Sequence, residues 1–267
     1  MVYIGTSGYS FPDWKYNFYP KGLKQTDYLS YYSHFFNCVE INVTYYRIPE
    51  PEFLYNLSLK VGNNFRFTVK VPGLFTHNKE LIQSEFDRFI QGIRLLNQTN
   101  KFSGLLIQFP YSFKNNPDNL FYLNNLLRLL FPYPLFIEFR DKSWLAHKVL
   151  DKLISDDIQI VFPDVPEGLN LFELDNKQWQ YDISYFRLHS RNKDNWWSNN
   201  EKDRYDYDYS KKELSEIKYL VNGSKTKDKF ILFNNCPNGL AAKNGLAMQK
   251  IMGIDKSSFS TGLFKNE

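Results

Sequence analysis

Short apolar runs recur along the chain at residues 2–8, 38–44, 65–71, 104–109, 135–139, 158–162, 183–189 and 229–234. Each is rich in β-branched and aromatic residues and bounded by turn-forming ones, the signature of a strand. Between the runs, apolar residues fall at helical spacing: Leu29, Tyr32, Phe36; Phe86, Phe89, Ile90, Ile93; Leu123, Leu126, Leu127, Leu130; and Val149, Leu150, Leu153. These predict helices with one buried stripe. Pro51 suits a first helical turn before Phe53, Ser210 with Glu213 reads as a capping box, and Gly223 and Gly253 suit helix C-terminal caps.

Eight strands alternating with helices over about 250 residues predict an α/β chain folded as a single (β/α)8 TIM-type barrel. One domain spanning residues 1–267 is expected, because no linker or internal repeat marks a boundary. The rhythm falters around residues 165–182, where irregularity is expected, and residues 192–209 form a long polar and aromatic connection of the kind that often carries function. An open doubly wound sheet is the alternative fold.

Composition narrows the setting. An apolar content of 43% is ample for a core, and 33 basic against 29 acidic residues give a net charge of +4, which alone demands neither a nucleic acid nor a membrane. Cys38 and Cys236 are too few for a disulfide framework and lack zinc-site spacing, so both are expected as free thiols in a reducing compartment. No run of about 18 apolar residues occurs and no charged leader precedes an apolar segment, so a soluble, cytoplasmic protein with no membrane association is expected. The 18% aromatic content fits an aromatic surface for bases or sugars; with abundant Asn and Lys, it equally fits A/T-rich codon usage.

Strand alternation brings charges together. Along residues 183–191 it puts Arg187, His189 and Arg191 on one face and Phe186 and Leu188 on the other; along 134–140 it pairs Glu138 with Arg140. In a barrel, functional groups gather at the C-terminal strand ends, where Ser7, Glu40, Asn42, Lys70, His77, Gln108, Asp164, Asn234 and Asn235 also fall. Glu40 and Glu138 lie in otherwise apolar strands, where an ionised carboxylate is costly unless paired. Either they form interior salt bridges with Lys70, Arg140 or Arg187, or one exchanges protons as a general acid or base. His189, between basic residues on a strand, suits acid–base work near neutral pH.

A metal set from His77, Glu138, Asp164 and His189 lacks the HxH or HExxH spacing, so no metal is expected. Arg187 and Arg191, with Trp196, Trp197, Arg204 and Tyr205 downstream, combine cationic forks with planar rings; they would hold a phosphate or carboxylate while stacking a base or sugar, or the tryptophans simply pack the long loop. Trp14, Tyr19 and Trp144 are expected to extend an aromatic rim.

GTSGYSFPDW (5–14), EINVTYYRIP (40–49), FTVKVP (67–72), QFPYSF (108–113), EFRDKSW (138–144), YFRLHSR (185–191), RYDYDYS (204–210) and the later AAKNGLA (241–247) together resemble the YecE-like proteins, domain-of-unknown-function family 72. The resemblance is collinear from residue 3 to about 250 and implies a TIM barrel distantly similar to sugar isomerases and barrel endonucleases, with no agreed reaction or catalytic residues. Where the family's seventh-strand motif commonly reads His-Gly-Arg this chain has Ser190, and where its last motif commonly reads Asn-Ala-Leu it has Gly245.

The leading expectation is an enzyme of isomerase or hydrolase type binding a small anionic or sugar-like ligand, such as a sugar phosphate, at the C-terminal barrel mouth. Glu40, Glu138 and His189 are its candidate catalytic residues; Lys70, Arg140, Asp164, Arg187, Arg191, Trp196, Asn234 and Asn235 are its candidate substrate-binding ones. The alternatives are a nucleic-acid-binding or nuclease-like protein and a non-catalytic ligand sensor. The sequence assigns no cofactor and no oligomeric state.

Overall fold

The computed structural model describes residues 1–169, 171–172 and 182–254. Among these described residues, nine strands, all parallel, run in chain order: β1 (Val2–Thr6), β2 (Cys38–Ile41), β3 (Arg66–Lys70), β4 (Phe102–Gln108), β5 (Leu135–Glu138), β6 (Gln159–Ile160), β7 (Phe162–Asp164), β8 (Ile183–Leu188) and β9 (Asp228–Phe233). The helices among them are α1 (Tyr28–Tyr32), α2 (Val43–Tyr46), α3 (Glu52–Ser58), α4 (Gly73–Thr76), α5 (Gln83–Asn97), α6 (Pro117–Leu130), α7 (His147–Ser155), α8 (Glu201–Tyr205), α9 (Lys211–Gly223) and α10 (Leu240–Met252). All eight predicted runs contain strands. The second is shorter than expected, because the chain turns into α2 at Val43. The capping box at Ser210 and the left-handed cap at Gly253 are present, whereas Gly223 is the last residue of its helix and Ser224 caps it.

The strands follow one another in the cyclic order of a TIM-type barrel, but the ladder is hydrogen-bonded in two arcs, β2-β3-β4-β5-β6 and β1-β9-β8-β7, rather than in one unbroken ring. The α/β TIM-type fold is as expected, with irregularity at two seams, and each seam has a physical cause. At the first, the sixth run changes neighbour midway: β6 pairs with β5, and β7 pairs with β8. Val161 N–H donates to the Ile137 carbonyl at 2.8 Å, and the next amide facing β5 would be that of residue 163. Residue 163 is a proline with no proton to give, so the β5 ladder ends there. Of the stretch 165–182 expected to be irregular, residues 170 and 173–181 lie outside the described residues.

At the second seam, β1 and β2 touch through one bridge, Ser7 with Glu40, and a bond from Gly8 N–H to the Glu40 carbonyl at 2.8 Å. Just below it the two backbones press together at Gly5. A Cβ there would stand 2.1 Å from the Cys38 carbonyl oxygen, so only glycine fits.

Alternation sorts the side chains into an outer and an inner set. Outward residues such as Ile4, Val39, Val69, Ile107, Ile137 and Ile231 join the large core beneath the helices. Gly245 belongs to that layer: a Cβ on it would meet the Phe36 ring at 2.8 Å, so the glycine lets α10 lie close. Inward residues form a separate apolar floor of Tyr3, Cys38, Leu106, Phe136, Val161, Tyr185, Phe230 and Leu232. Its rings pack closely, Tyr3 stacked on Phe230 and Phe136 tilted against Tyr185, each pair 4.6 Å between centroids. One step further toward the C-terminal end, the inward positions of most strands become polar; the sixth run, with Pro163, is an exception. There the floor ends and the site begins.

Gly5→Ala is expected to cost roughly 1–3 kcal/mol or more, the range for forcing extra volume into packed backbone. Urea denaturation checks it, and an unchanged midpoint would show that the β1–β2 seam gives way freely.

Candidate functional site

Arg187, at inward parity on β8, sits between carboxylates from two other strands. Its Nε and Nη2 bind both oxygens of Glu40 at 2.9 and 2.7 Å, and its Nη1 reaches Glu138 at 2.5 Å. All three side chains are essentially fully buried. Tyr185, two residues earlier on the same face, donates to Glu40 at 2.8 Å and shares a 2.8 Å bond with the Thr68 hydroxyl, tying the cluster to the floor. Arg140 supplies a second cation: its Nε lies 2.6 Å from Glu138 Oε1, a charge contact without hydrogen-bond geometry. Two carboxylates thus face two guanidiniums. Burial alone would raise the Glu138 pKa, but Arg140 and Arg187 outweigh it and hold the carboxyl well below its usual range. Burial alone would likewise lower the Arg187 pKa, and Glu138 and Glu40 raise it.

His189 is fully buried beside this cluster. Nε2 lies 3.1 Å from Glu138 Oε1 and 3.2 Å from Arg140 Nη2, and Nδ1 lies 2.9 Å from the Asn234 amide nitrogen. A neutral ring protonated on Nε2 donates to the carboxylate and accepts from the amide, leaving Arg140 Nη2 a charged neighbour of Nε2 rather than a donor to it. Burial first, then the Arg140 charge, pushes its pKa down to about 3.

Above the cluster opens a pocket of 490 Å³ at the C-terminal end of the strands. Its floor and walls include Ser7, Asn42, Lys70, Gln108, Arg140 and Arg187; Glu40, Glu138 and His189 lie behind them and do not line it. Trp196, buried to 2%, forms one wall beneath the Arg140 and Arg204 guanidiniums, which stand 5.8 and 5.9 Å from its ring centroid. Lys70 ends β3 and also lines the pocket, its ammonium 4.0 Å from the centroid of the Tyr45 ring. Among the described residues no carboxylate comes within 4 Å of it. Burial, and after it the Arg187 charge, lowers the Lys70 pKa to about 7. His77, edge-on to Tyr45 and bonded to the Thr76 hydroxyl at 2.9 Å, is pushed down to about 4 by burial and by Lys70.

Other sequence candidates lie elsewhere. Arg191 does not share the face of Arg187 and His189: β8 ends at Leu188, the alternation stops with it, and Arg191 turns to the outside of the mouth. There it binds Asp164 through Nε and Nη2 at 3.1 and 2.9 Å and Glu216 at 2.8 Å, while Tyr209 donates to the same Asp164 at 2.7 Å. Asn234 lines the pocket, whereas Asn235 is buried and ties the loop carbonyl of Tyr207 to Asn244 at 2.7 Å each. Ser190 adds no bulk to the pocket; its hydroxyl holds the Arg204 carbonyl at 2.7 Å. Trp14, Tyr19 and Trp144 are buried rather than forming a rim, because the indoles donate to the Cys236 and Phe113 carbonyls at 2.8 and 2.6 Å and the tyrosine to the Tyr9 carbonyl.

Tyr185 and Tyr45 escaped sequence reasoning. Tyr185 carried a usable signal, the parity of Arg187, but Tyr45 lies just past the strand expected over 38–44, on α2. No group of three or more His, Cys, Asp or Glu side chains placed to hold a metal occurs among the described residues, and no helix there is long and apolar enough to cross a membrane.

This geometry can be set beside known proteins. The family described as protein of unknown function DUF72 matches residues 3–266, and the chain belongs to that family. The UPF0759 protein YunF of Bacillus subtilis is 28% identical over 97% of this chain and 98% of its own length. The UPF0759 protein YecE of Escherichia coli is 35% identical over 81 residues, 30% of this chain and 27% of its own. The crystal structure of a DUF72 family protein from Thermotoga maritima superposes with a TM-score of 0.83 at 35% identity, covering 95% of this chain and 99% of that one. One from Enterococcus faecalis gives 0.83 at 25% identity, covering 96% of each.

Arg187→Met leaves Glu40 and Glu138 buried without the cation between them, and a loss of about 3–5 kcal/mol is expected in urea denaturation. A loss under about 1 kcal/mol, the scale of a surface pair, would show that the cluster is not structurally coupled.

His189 stays neutral in the fold down to about pH 3, while in the unfolded chain it takes up a proton near 6.5. The unfolded state therefore binds more protons in that window, and stability falls as pH drops from 6.5. Urea midpoints from pH 7 to pH 5 are expected to decline, and less steeply in His189→Asn. Parallel slopes would remove His189 as their source.

Proposed function

We propose that the mouth pocket binds a small anionic, hydroxyl-bearing ligand such as a sugar phosphate, and that the protein acts on it as an enzyme of isomerase or hydrolase type. The observation that carries this reading is Lys70. Glu40 and Glu138 are both taken by arginines, so among the described residues no carboxylate lies within 4 Å of the lysine, whose charge faces a pocket that the largely buried Arg140 guanidinium also lines. Like charges held together in a screened-off cleft favour an incoming anion. Arg140 offers a planar fork for phosphate or carboxylate, and Asn42 and Gln108 offer amides to ligand hydroxyls.

In this reading Lys70, poised near neutrality, moves the proton. Glu40, Glu138 and His189 are positioning residues that fix Arg187 and Arg140 and set the field at Lys70. Arg191 and Asp164 brace the mouth from outside. A reducing, cytoplasmic setting suits Cys38 and Cys236, both buried free thiols whose pKa values burial pushes up.

A second reading rests on the rim, where Trp197 is 52% and Tyr46 77% exposed and where bases of a single strand would stack. Calorimetric titration with inorganic phosphate and sugar phosphates separates the two. Lys70→Met and Arg140→Met are each expected to weaken binding roughly tenfold to a hundredfold, the scale of a charged hydrogen bond. Wild-type affinity is expected to fall as pH rises through 7 and Lys70 loses its proton. Equal, weak binding by all three folded proteins would overturn the anion reading. Tight, steeply salt-dependent binding of a single-stranded oligonucleotide would replace it with the second.

A further inference from the structure

Lys70 has features that anion binding alone does not require. It ends β3 at the parity of Thr68, whose hydroxyl meets Tyr185 inside the barrel, so its side chain rises from the inner wall of a rigid strand into the pocket. The Tyr45 ring backs the amine, and no carboxylate lies within ion-pair reach among the described residues. Arg140, also on the pocket wall, can hold an anionic group while a second part of the same ligand meets the amine. Asn42 Oδ1 on that wall is buried and has no donor among the described residues, leaving it open to a ligand hydroxyl.

Resting on the anion-pocket reading above, we infer that Lys70 is a covalent nucleophile whose Nζ condenses with the carbonyl carbon of an aldose or ketose phosphate to form an imine. The Nζ lone pair forms the C–N bond while the carbonyl π pair moves to oxygen, which takes a proton, giving a carbinolamine. Loss of the nitrogen's proton and of the oxygen as water then gives the C=N bond. Amine plus carbonyl become imine plus water, with no oxidant or reductant. A lysine with neighbouring cations and little solvent is partly unprotonated at neutral pH, which the attack needs. The protonated imine in turn draws electrons from the adjoining carbon and loosens its C–H bond, the step an isomerase must catalyse.

Borohydride trapping tests this. Dihydroxyacetone phosphate or ribose 5-phosphate is incubated with wild type, Lys70→Met and Lys70→Arg in sodium cyanoborohydride, and adducts are located by peptide mass mapping, with circular dichroism as the folding control. The expected result is an adduct at Lys70 at least about tenfold above any surface lysine, whose amine is almost wholly protonated at pH 7. It should be absent from both variants and suppressed by inorganic phosphate. Calorimetry on the same proteins keeps the two ideas apart. Sugar-phosphate binding to wild type with no adduct above the surface background overturns the imine and leaves the anion pocket. No binding and no adduct overturns both. An adduct at Lys70 that forms equally fast with an uncharged sugar and is indifferent to phosphate upholds the nucleophile and overturns the anion reading.

Discussion

The structure turns on the grip of Arg187 on two carboxylates from strands that do not neighbour its own. A guanidinium can be buried on this scale only if its donors are met, and Glu40 and Glu138 meet them from β2 and β5 while Arg187 comes from β8. The contact crosses the interior and joins the two hydrogen-bonded arcs where no ladder does so. Glu40 lies at the β1–β2 seam itself, as the partner of Ser7 in its single bridge. Electrostatics inside the barrel therefore offsets part of what the backbone leaves undone around its circumference.

The same grip decides what the pocket can do. Because Glu40 and Glu138 are spent on arginines behind the lining, Lys70, Arg140 and Arg187 face the pocket in their place, and among the described residues Lys70 meets an aromatic ring rather than a carboxylate within 4 Å. His189 is drawn into the cluster and neutralised by its surroundings, which removes it from direct contact with anything entering the mouth. Titratable groups thus divide into a buried layer that sets the field and a surface layer that feels it.

Strand alternation made much of this legible. The inward placement of Glu40, Glu138, Arg140, Arg187 and His189 follows from parity within runs whose boundaries were clear. Where parity ends, so does legibility: Arg191 lies three residues beyond the last paired residue of β8, and its side chain answers to Asp164 and Glu216 on other elements. Asn235 likewise lies past β9 and serves the loop. The break of the sixth run at Pro163 was written in the sequence as a missing donor, but which neighbour that donor would have faced depends on register. Tyr45 was hidden because the strand was expected to run to Thr44, whereas α2 already begins at Val43 and carries Tyr45 beyond the reach of strand parity.

The long connection after β8 is seated at Trp196, which is buried, and stitched down over residues 204–209. The Ser190 hydroxyl takes the Arg204 carbonyl, the Asn235 amide takes that of Tyr207, Asn244 takes Asp208, and Tyr209 reaches Asp164. A wall so anchored is already in place before anything arrives. Association with the pocket then costs little loss of chain freedom on the protein side, so encounter is governed by diffusion and desolvation rather than by waiting for a loop to close. Selectivity in such a site comes from the fixed spacing between wall and floor, which discriminates by the length and curvature of the guest.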